Sequence, residues 1–263
     1  MSAGEGLGLE ASLRRRREAG AKLLVPYVMG GMTPDWVDIA HAAVAAGADA
    51  LEVGLPFSDP MMDGPVIQEA ALAALRRGSS AGKILDELAG ASLGIPIVVM
   101  SYYNIVFRTG LRRMAGSLAA AGVAGALLPD VPLEELGPWA EEADRSGLDT
   151  VLMVALTTPA GRAQQICSRA RGFVYAVARM GVTGERNVLG DEVVQVVDRV
   201  RAVSDLPVCA GIGVSTPEQA AQACRSADGV IIGSALVRRA LGDHGVEAAA
   251  SFLGEVRAAL DAT

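Results

Sequence analysis

Glu52 is the acidic residue whose surroundings most resemble those of a catalytic acid or base. It interrupts the apolar run Ala50–Gly54 one residue before the predicted end of a strand, and it shares a face with Ala50. Burial makes a carboxylate costly to ionise, so its pKa should rise and suit it to proton transfer near neutral pH. The alternative is a hydrogen-bonded structural glutamate, and its position and chemistry favour a catalytic role.

Asp63 is the second candidate acid. It lies eleven residues after Glu52, at the end of the long connection that follows the strand, and directly before Gly64-Pro65 and a predicted helix. The spacing supports a partner for Glu52 and, equally, a helix N-cap followed by an early proline. Asp59-Pro60, within the same connection, is typical of a turn.

Composition argues against most other catalytic chemistry. The only histidines are His41 and His244, too far apart in sequence to suggest a metal site and few for a catalytic triad. The three cysteines show neither a short metal spacing nor a disulfide pattern. Schiff-base chemistry could use only Lys22 or Lys83. With 30 acidic residues in the chain, carboxylates and backbone amides are the expected catalytic groups.

Glycines after three consecutive predicted strands indicate a phosphate site. Gly211-Ile-Gly213-Val-Ser215 follows the seventh strand, and Gly233-Ser234-Ala235 follows the eighth and opens a short helix. Exposed N–H groups at such helix starts bind anions. Arg179–Gly184 follows the sixth strand and could close over the ligand, or be an ordinary glycine-rich turn.

Apolar side chains are predicted at the same rim, and most of them would belong to the core of any barrel. If one patch stays open, it suits a flat aromatic group beside the phosphate. The side chains are Tyr27, Met100, Leu128, Val154, Tyr175 and Ile212.

The elements that must position these residues alternate along the chain. Helix ends closed by glycine or a small residue run within a few residues into apolar segments of strand length. Strands are predicted at Leu23–Tyr27, Ala50–Val53, Ile97–Met100, Gly125–Leu128, Thr150–Val154, Phe173–Val177, Val208–Ala210 and Gly229–Ile232. Helices are predicted at Asp35–Ala46, Val66–Arg77, Ala81–Leu93, Leu111–Ala121, Leu133–Ser146, Ala160–Ala170, Asp191–Val203, Pro217–Arg225 and Val246–Leu260.

Eight such alternations predict an α/β fold, the (β/α)8 or TIM barrel, with extra short helices. An open doubly wound sheet is the alternative. No linker divides the chain, so residues 1–263 are expected to form one domain. Leu9–Glu18, within residues 1–20, is expected to be a helix that caps the N-terminal end of the barrel.

Charge and hydropathy limit the kinds of partner and the cellular compartment that can be expected. The net charge of −7 argues against a nucleic-acid surface. The run Arg14–Arg17 could be a localisation signal or a patch for an anionic partner, but the solvated side of a helix is favoured. No window approaches 18 unbroken apolar residues. The protein is therefore expected to be soluble, reduced and cytoplasmic.

The segment Ala50–Pro65 resembles the signature of the tryptophan synthase alpha subunit family. Arg179–Gly184, Gly211–Ser215, Gly233-Ser234 and Leu128–Pro132 agree in kind and order. The match runs from about Leu23 to the C-terminus. Departures are Tyr27 in place of a common Phe, Met61-Met62 in place of Leu-Ala, and the sequence Gly30-Gly-Met-Thr-Pro34 after the first strand.

This resemblance implies cleavage of indole-3-glycerol phosphate to indole and D-glyceraldehyde 3-phosphate. It implies that Glu52 is the general acid/base at indole C3 and the glycerol hydroxyl, and that Asp63 stabilises positive charge at the indole N–H. Thr183 would bond Asp63 when Gly181–Gly184 closes. The implied ligand-binding residues are Tyr27, Met100 and Tyr175 for indole and Gly184, Gly213, Gly233 and Ser234 for phosphate.

The resemblance also implies a partner. Family alpha subunits join a pyridoxal-phosphate beta subunit in a linear heterotetramer, and indole passes to it through a tunnel. Asp59, Pro60 and Asn104 would face that partner, and no cofactor is expected in this chain.

Two other functions compete with this one. Another phosphate-binding barrel enzyme, such as a phosphosugar isomerase or an indole-glycerol-phosphate synthase, is the first. The synthase would need a lysine at a strand end, which neither Lys22 nor Lys83 supplies. A non-catalytic barrel that activates a partner is the second, and a buried unpaired acid gives such a scaffold no advantage.

Overall fold

Eight parallel strands close into a barrel in which each strand pairs with the next and β8 pairs with β1. The computed structural model describes residues 8–177, 191–211 and 213–263. The strands are β1 (Leu23–Met29), β2 (Leu51–Gly54), β3 (Ile97–Met100), β4 (Gly125–Leu127), β5 (Asp149–Ala155), β6 (Val174–Val177), β7 (Val208–Ala210) and β8 (Gly229–Ile232). The barrel prediction is confirmed, and the open sheet is excluded.

Helices surround this barrel. They are α1 (Leu9–Glu18), α2 (Trp36–Ala45), α3 (Pro65–Arg76), α4 (Ala81–Ala91), α5 (Tyr103–Thr109), α6 (Leu111–Ala120), α7 (Gly137–Arg145), α8 (Ala160–Arg169), α9 (Glu192–Arg201), α10 (Pro217–Ala223), α11 (Ser234–Ala240) and α12 (Gly245–Asp261).

The predicted bounds agree with the observed ones to within two residues, except at α7. Its predicted first turn is a pair of isolated turn hydrogen bonds, from the N–H groups of Glu135 and Leu136 to the carbonyls of Pro132 and Leu133. The helix α5 was not predicted, because seven residues are too few to show a helical period.

The side chains of the strands divide between two cores. The outer core lies between the strands and the surrounding helices, and the inner core fills the barrel. Because successive strand residues face opposite sides, Val151 belongs to the inner core and Val154 to the outer one. Val154 and Leu128, two of the predicted rim side chains, pack in the outer core, as was expected for most of that set.

Helix α1 closes the N-terminal end of the barrel. Leu9 and Leu13 are fully buried and join the inner core beside Phe173. The predicted capping helix is thus confirmed, and it acts as an apolar plug opposite the end at which barrel enzymes bind ligands.

The arginine run on α1 is tied to the barrel by acids that lie just before three strands. Arg16 pairs with Asp49 at 2.6 Å, and Arg14 pairs with Asp205 at 3.0 Å. Arg17 lies 3.7 Å from Asp228. The arginine run was expected to be the solvated side of a helix. Its ion pairs show that it also orients the plug.

No described helix combines the length and the apolar character that crossing a membrane requires.

The plug should contribute measurably to stability. We expect L13A to lower the free energy of unfolding by about 2–5 kcal/mol, because it leaves a cavity in the inner core. Denaturant titration measures this difference. The control L72A truncates a leucine that is 47% exposed and should cost much less. Equal losses for the two variants would contradict the assigned role of α1.

Candidate active site

The C-terminal end of the barrel, opposite α1, brings together side chains from distant parts of the sequence. We call this end the mouth of the barrel. Tyr27 on β1 is in register with Glu52 on β2, so the two are neighbours across the sheet. Met100 and Tyr175 lie partly buried against the inner core, at the C-terminal end of β3 and within β6. The sequence-predicted acid and three predicted indole-binding residues therefore lie on strands β1, β2, β3 and β6 of one barrel.

Glu52 is a buried acid without a charge partner in the described part of the chain. It is 1% exposed, and neither carboxylate oxygen has a hydrogen-bond partner among the described residues. Desolvation, reinforced by the nearby negative charge of Asp63, raises the pKa of Glu52 to about 8. The carboxyl group is thus mostly protonated at neutral pH. The alternative of a hydrogen-bonded structural glutamate is not what the described residues show.

Asp63 lies at the end of the connection between β2 and α3 and is 4% exposed. Its N–H donates to the Pro60 carbonyl, and its own carbonyl accepts from Gln68 Nε2. The N-cap of α3 is Gly64, so Asp63 is not the N-cap that its spacing allowed. Its carboxylate stays available for other partners.

Tyr102 supplies one of those partners, and sequence analysis missed it. Its hydroxyl accepts from the Met62 N–H at 2.9 Å and lies close enough to the Asp63 carboxylate to act on it as a hydrogen-bond donor. Desolvation raises the pKa of Asp63 to about 6, while the bond from Tyr102 opposes this rise. The signal available in the sequence was position: Tyr102 lies two residues beyond the end of β3, at the rim where barrels place ligand contacts.

The two carboxyl groups therefore differ in protonation at neutral pH. Glu52 holds a proton and can donate it, whereas Asp63 is mostly ionised and can accept a hydrogen bond from a positive group. Burial also raises the pKa values of Tyr27 and Tyr175 well above their usual range, so both phenols stay neutral.

Two glycines make room for the tyrosine rings. A Cβ on Gly211 would lie 2.0 Å from the Tyr175 ring, and one on Gly54 would lie 2.1 Å from the Tyr27 hydroxyl. A side chain at Gly211 or at Gly54 would therefore displace the tyrosine ring beside it.

Two backbone features after β7 and β8, at Gly213 and at the start of α11, are typical of anion sites. Gly213 has a φ of +73°, a left-handed value that favours glycine. At α11 the first intrahelical bonds run from the N–H groups of Leu236 and Val237 to the Gly233 carbonyl. The N–H groups of Ser234 and Ala235 precede those bonds, where helix starts bind anions. Thr183, Gly184 and Ile212 lie outside the described residues.

The predicted partner-facing residues lie on the surface beside this mouth. Asp59 and Asn104 are exposed and Pro60 is partly exposed. Exposed apolar side chains accompany them, since Met61 is 85% exposed and Phe107 is 64% exposed. Scattered exposed apolar residues are ordinary, but three near the predicted partner-facing residues, with Met62 as the third, are typical of an interface.

No cluster of three or more potential metal-ligating side chains occurs among the residues described.

Comparison with known sequences identifies a family. The family model described as tryptophan synthase alpha chain matches residues 13–256. The tryptophan synthase alpha chain of Halorhodospira halophila is 46% identical over 240 residues, which cover 89% of this chain and 88% of that one. The Streptomyces coelicolor alpha chain is 42% identical over 258 residues, covering 94% and 95%.

Solved structures agree with the sequence relatives. A structure of Mycobacterium tuberculosis tryptophan synthase aligns with a TM-score of 0.90 at 37% identity, covering 98% of this chain and 99% of that one. Tryptophan synthase subunit alpha of Legionella pneumophila aligns with a TM-score of 0.89 at 31% identity, covering 97% and 98%.

The burial of Glu52 predicts a specific dependence of stability on pH. The folded chain holds this proton up to about pH 8, whereas the unfolded chain releases it near 4.5. Wild-type stability should therefore fall relative to E52Q as pH rises through this interval. At about 1.4 kcal/mol per pK unit, the difference approaches 5 kcal/mol as an upper bound.

Denaturant titrations of wild type and E52Q between about pH 5 and pH 9 measure this difference. E69Q, which changes an exposed glutamate on α3, is the matched control and should follow the wild type. A difference between wild type and E52Q that does not change with pH would contradict the assigned burial.

Proposed function

The chain belongs to the tryptophan synthase alpha chain family, and we propose that the barrel mouth around Glu52 and Asp63 carries out the reaction of that family. The reaction cleaves indole-3-glycerol phosphate to indole and D-glyceraldehyde 3-phosphate, a carbon–carbon lyase step in L-tryptophan biosynthesis. The observation that carries the assignment of the site is the buried Glu52, which has no hydrogen-bond partner within residues 8–177, 191–211 and 213–263 and lies near a second acid of different protonation state.

Glu52 is the general acid/base in this proposal. Its carboxyl proton goes to C3 of the indole ring, which makes the protonated ring the leaving group and leaves a positive charge on the ring nitrogen. The resulting carboxylate then helps to remove the proton of the adjacent glycerol hydroxyl. Glu52 gives one proton and takes one, so it is ready for the next turnover.

Asp63 stabilises the intermediate charge. Its carboxylate accepts a hydrogen bond from the indole N–H as that nitrogen becomes positive. When the carbon–carbon bond breaks, its electron pair restores the aromatic ring, and the hydroxyl oxygen forms the aldehyde carbonyl. A pKa of about 6 keeps Asp63 mostly ionised for this task at neutral pH.

The ring and the phosphate would occupy neighbouring parts of the mouth. Tyr27, Met100 and Tyr175 supply apolar surface for indole, because two of them are neutral phenols and the third is a thioether side chain. The phosphate would accept hydrogen bonds from the N–H groups around Gly213, Gly233 and Ser234. Thr183 and Gly184 are proposed contacts from the resemblance alone.

The positions of the lysines disfavour the competing barrel enzyme. Lys22 lies directly before β1, at the end of the barrel that α1 closes. Lys83 lies on α4, and its Nζ donates to the Gly78 carbonyl at 2.8 Å. Neither supports lysine chemistry at the mouth. The buried acid likewise remains costly for a barrel that only scaffolds a partner.

We propose a beta subunit as the partner, in a heterotetramer, with pyridoxal phosphate bound by that subunit and not by this chain. Asp59, Pro60 and Asn104, with the exposed apolar residues Met61 and Phe107 beside them, form the proposed contact surface. The family role supports a cytoplasmic location. The packing of α12 against α2 and α10 supports one domain over residues 1–263.

The central test of Glu52 is E52Q with indole-3-glycerol phosphate as substrate. Indole release should fall by at least about a thousandfold, because the proton donor is lost while the shape is kept. Binding of glycerol 3-phosphate, measured by calorimetry, should stay close to the wild-type value. A variant that keeps most of its kcat would contradict the assignment.

The phosphate loop has its own test in G213D. A side chain at a φ of +73° is strained, and a carboxylate there repels phosphate. We expect the affinity for glycerol 3-phosphate to fall at least about tenfold, which corresponds to about 1.4 kcal/mol. G116D, on the exposed face of α6, is the control. Unchanged affinity in G213D would exclude this loop from the site.

A further inference from the structure

Asp130 links the loop after β4 to the start of α5. The first N–H of that helix, from Tyr103, donates to both carboxylate oxygens of Asp130, at 2.9 and 3.2 Å. Asp130 lies three residues beyond the end of β4 and is exposed. Its carboxylate, in the connection after β4, therefore fixes the beginning of a helix in the connection between β3 and β4.

Tyr102 stands at the point that Asp130 fixes. It is the N-cap residue of α5, and its side chain makes no capping bond to that helix. Its ring packs against Phe57, with the ring centroids 5.1 Å apart. Its position is thus set by α5 on one side and by the connection after β2 on the other.

The tyrosine hydroxyl has only one proton to give. It accepts from the Met62 N–H at 2.9 Å, which leaves its own proton to be donated to the nearby Asp63 carboxylate. This arrangement orients the carboxylate only while Tyr102 keeps its place.

We propose that Asp130 is a positioning residue for the lyase reaction: by anchoring the N-terminus of α5, it holds the Tyr102 hydroxyl on the catalytic carboxylate of Asp63. The inference rests on the proposed function of Asp63. Asp130 itself touches neither of the acids. It acts through one backbone N–H and one side chain.

Among the residues that the structure describes, few charged and titratable groups surround Tyr102 and Asp63. Asp63 faces Glu52 on β2, Tyr27 on β1, Tyr175 on β6 and Tyr102. Asp130 lies near Tyr102 as a further negative charge. Loss of the Tyr102 bond should move the pKa of Asp63 upward, because that bond opposes the effect of burial.

The experiment compares D130A, D130N and Y102F by kcat, KM and the pH profile of kcat. D130A should lower kcat by about tenfold with a smaller change in KM, since misorientation costs the transition state most. The acid limb of the profile should move to higher pH in D130A and Y102F. D130N should stay near the wild type, because its amide oxygen still accepts from the Tyr103 N–H.

A double variant separates this role from an ordinary helix cap. If Asp130 acts through Tyr102, then Y102F/D130A should be no slower than Y102F alone. E134A removes another exposed carboxylate from the same β4–α7 connection and should keep the kcat and the pH profile of the full-length wild type. Circular dichroism checks the fold of each variant. If D130A does not fold, D130S replaces it. The same changes are expected, because the serine side chain is shorter than aspartate and holds the Tyr103 N–H less well.

An unshifted acid limb in D130A, or additive losses in the double variant, would overturn the role of Asp130. Failure of the proposed function is a different result, because the wild-type chain would then release no indole from indole-3-glycerol phosphate, alone or with the beta subunit.

Discussion

The desolvated carboxyl group of Glu52 is the constraint on which the site depends. Placed inside the barrel with no hydrogen-bond partner among the described residues, it can ionise only at a large cost in free energy. That cost keeps a proton on the group that must deliver one. The remainder of the fold has to tolerate the group, and a continuous inner core with the α1 plug at the opposite end provides the stability that this requires.

A second acid in a different environment divides the catalytic work. Asp63 is also buried, but a tyrosine hydroxyl donates to it, so it ionises at a lower pH than Glu52. One acid thus carries the proton and the other carries the negative charge at neutral pH. Part of the difference in pKa arises from one neighbour, Tyr102, which is why the contacts that hold that neighbour matter for the chemistry.

Strand periodicity explains how much the sequence could predict. Alternating faces place Glu52 inside the barrel, and apolar runs of strand length locate all eight strands. Contacts between loops could not be predicted, because they depend on which connections meet in space. Tyr102 next to Asp63 and Asp130 at the start of α5 are of this kind. So is the pairing of the α1 arginines with acids such as Asp49.

The ionisation of Glu52 can be observed directly in the unliganded chain. Infrared difference spectra of wild type minus E52Q, recorded across a pH titration with isotope-labelled glutamate, resolve its carboxylic acid C=O band. The account predicts that this band persists at neutral pH and disappears with a midpoint at about 8. A midpoint at the ordinary glutamate value of 4.5 would contradict it, because Glu52 would then hold no proton to give to the substrate.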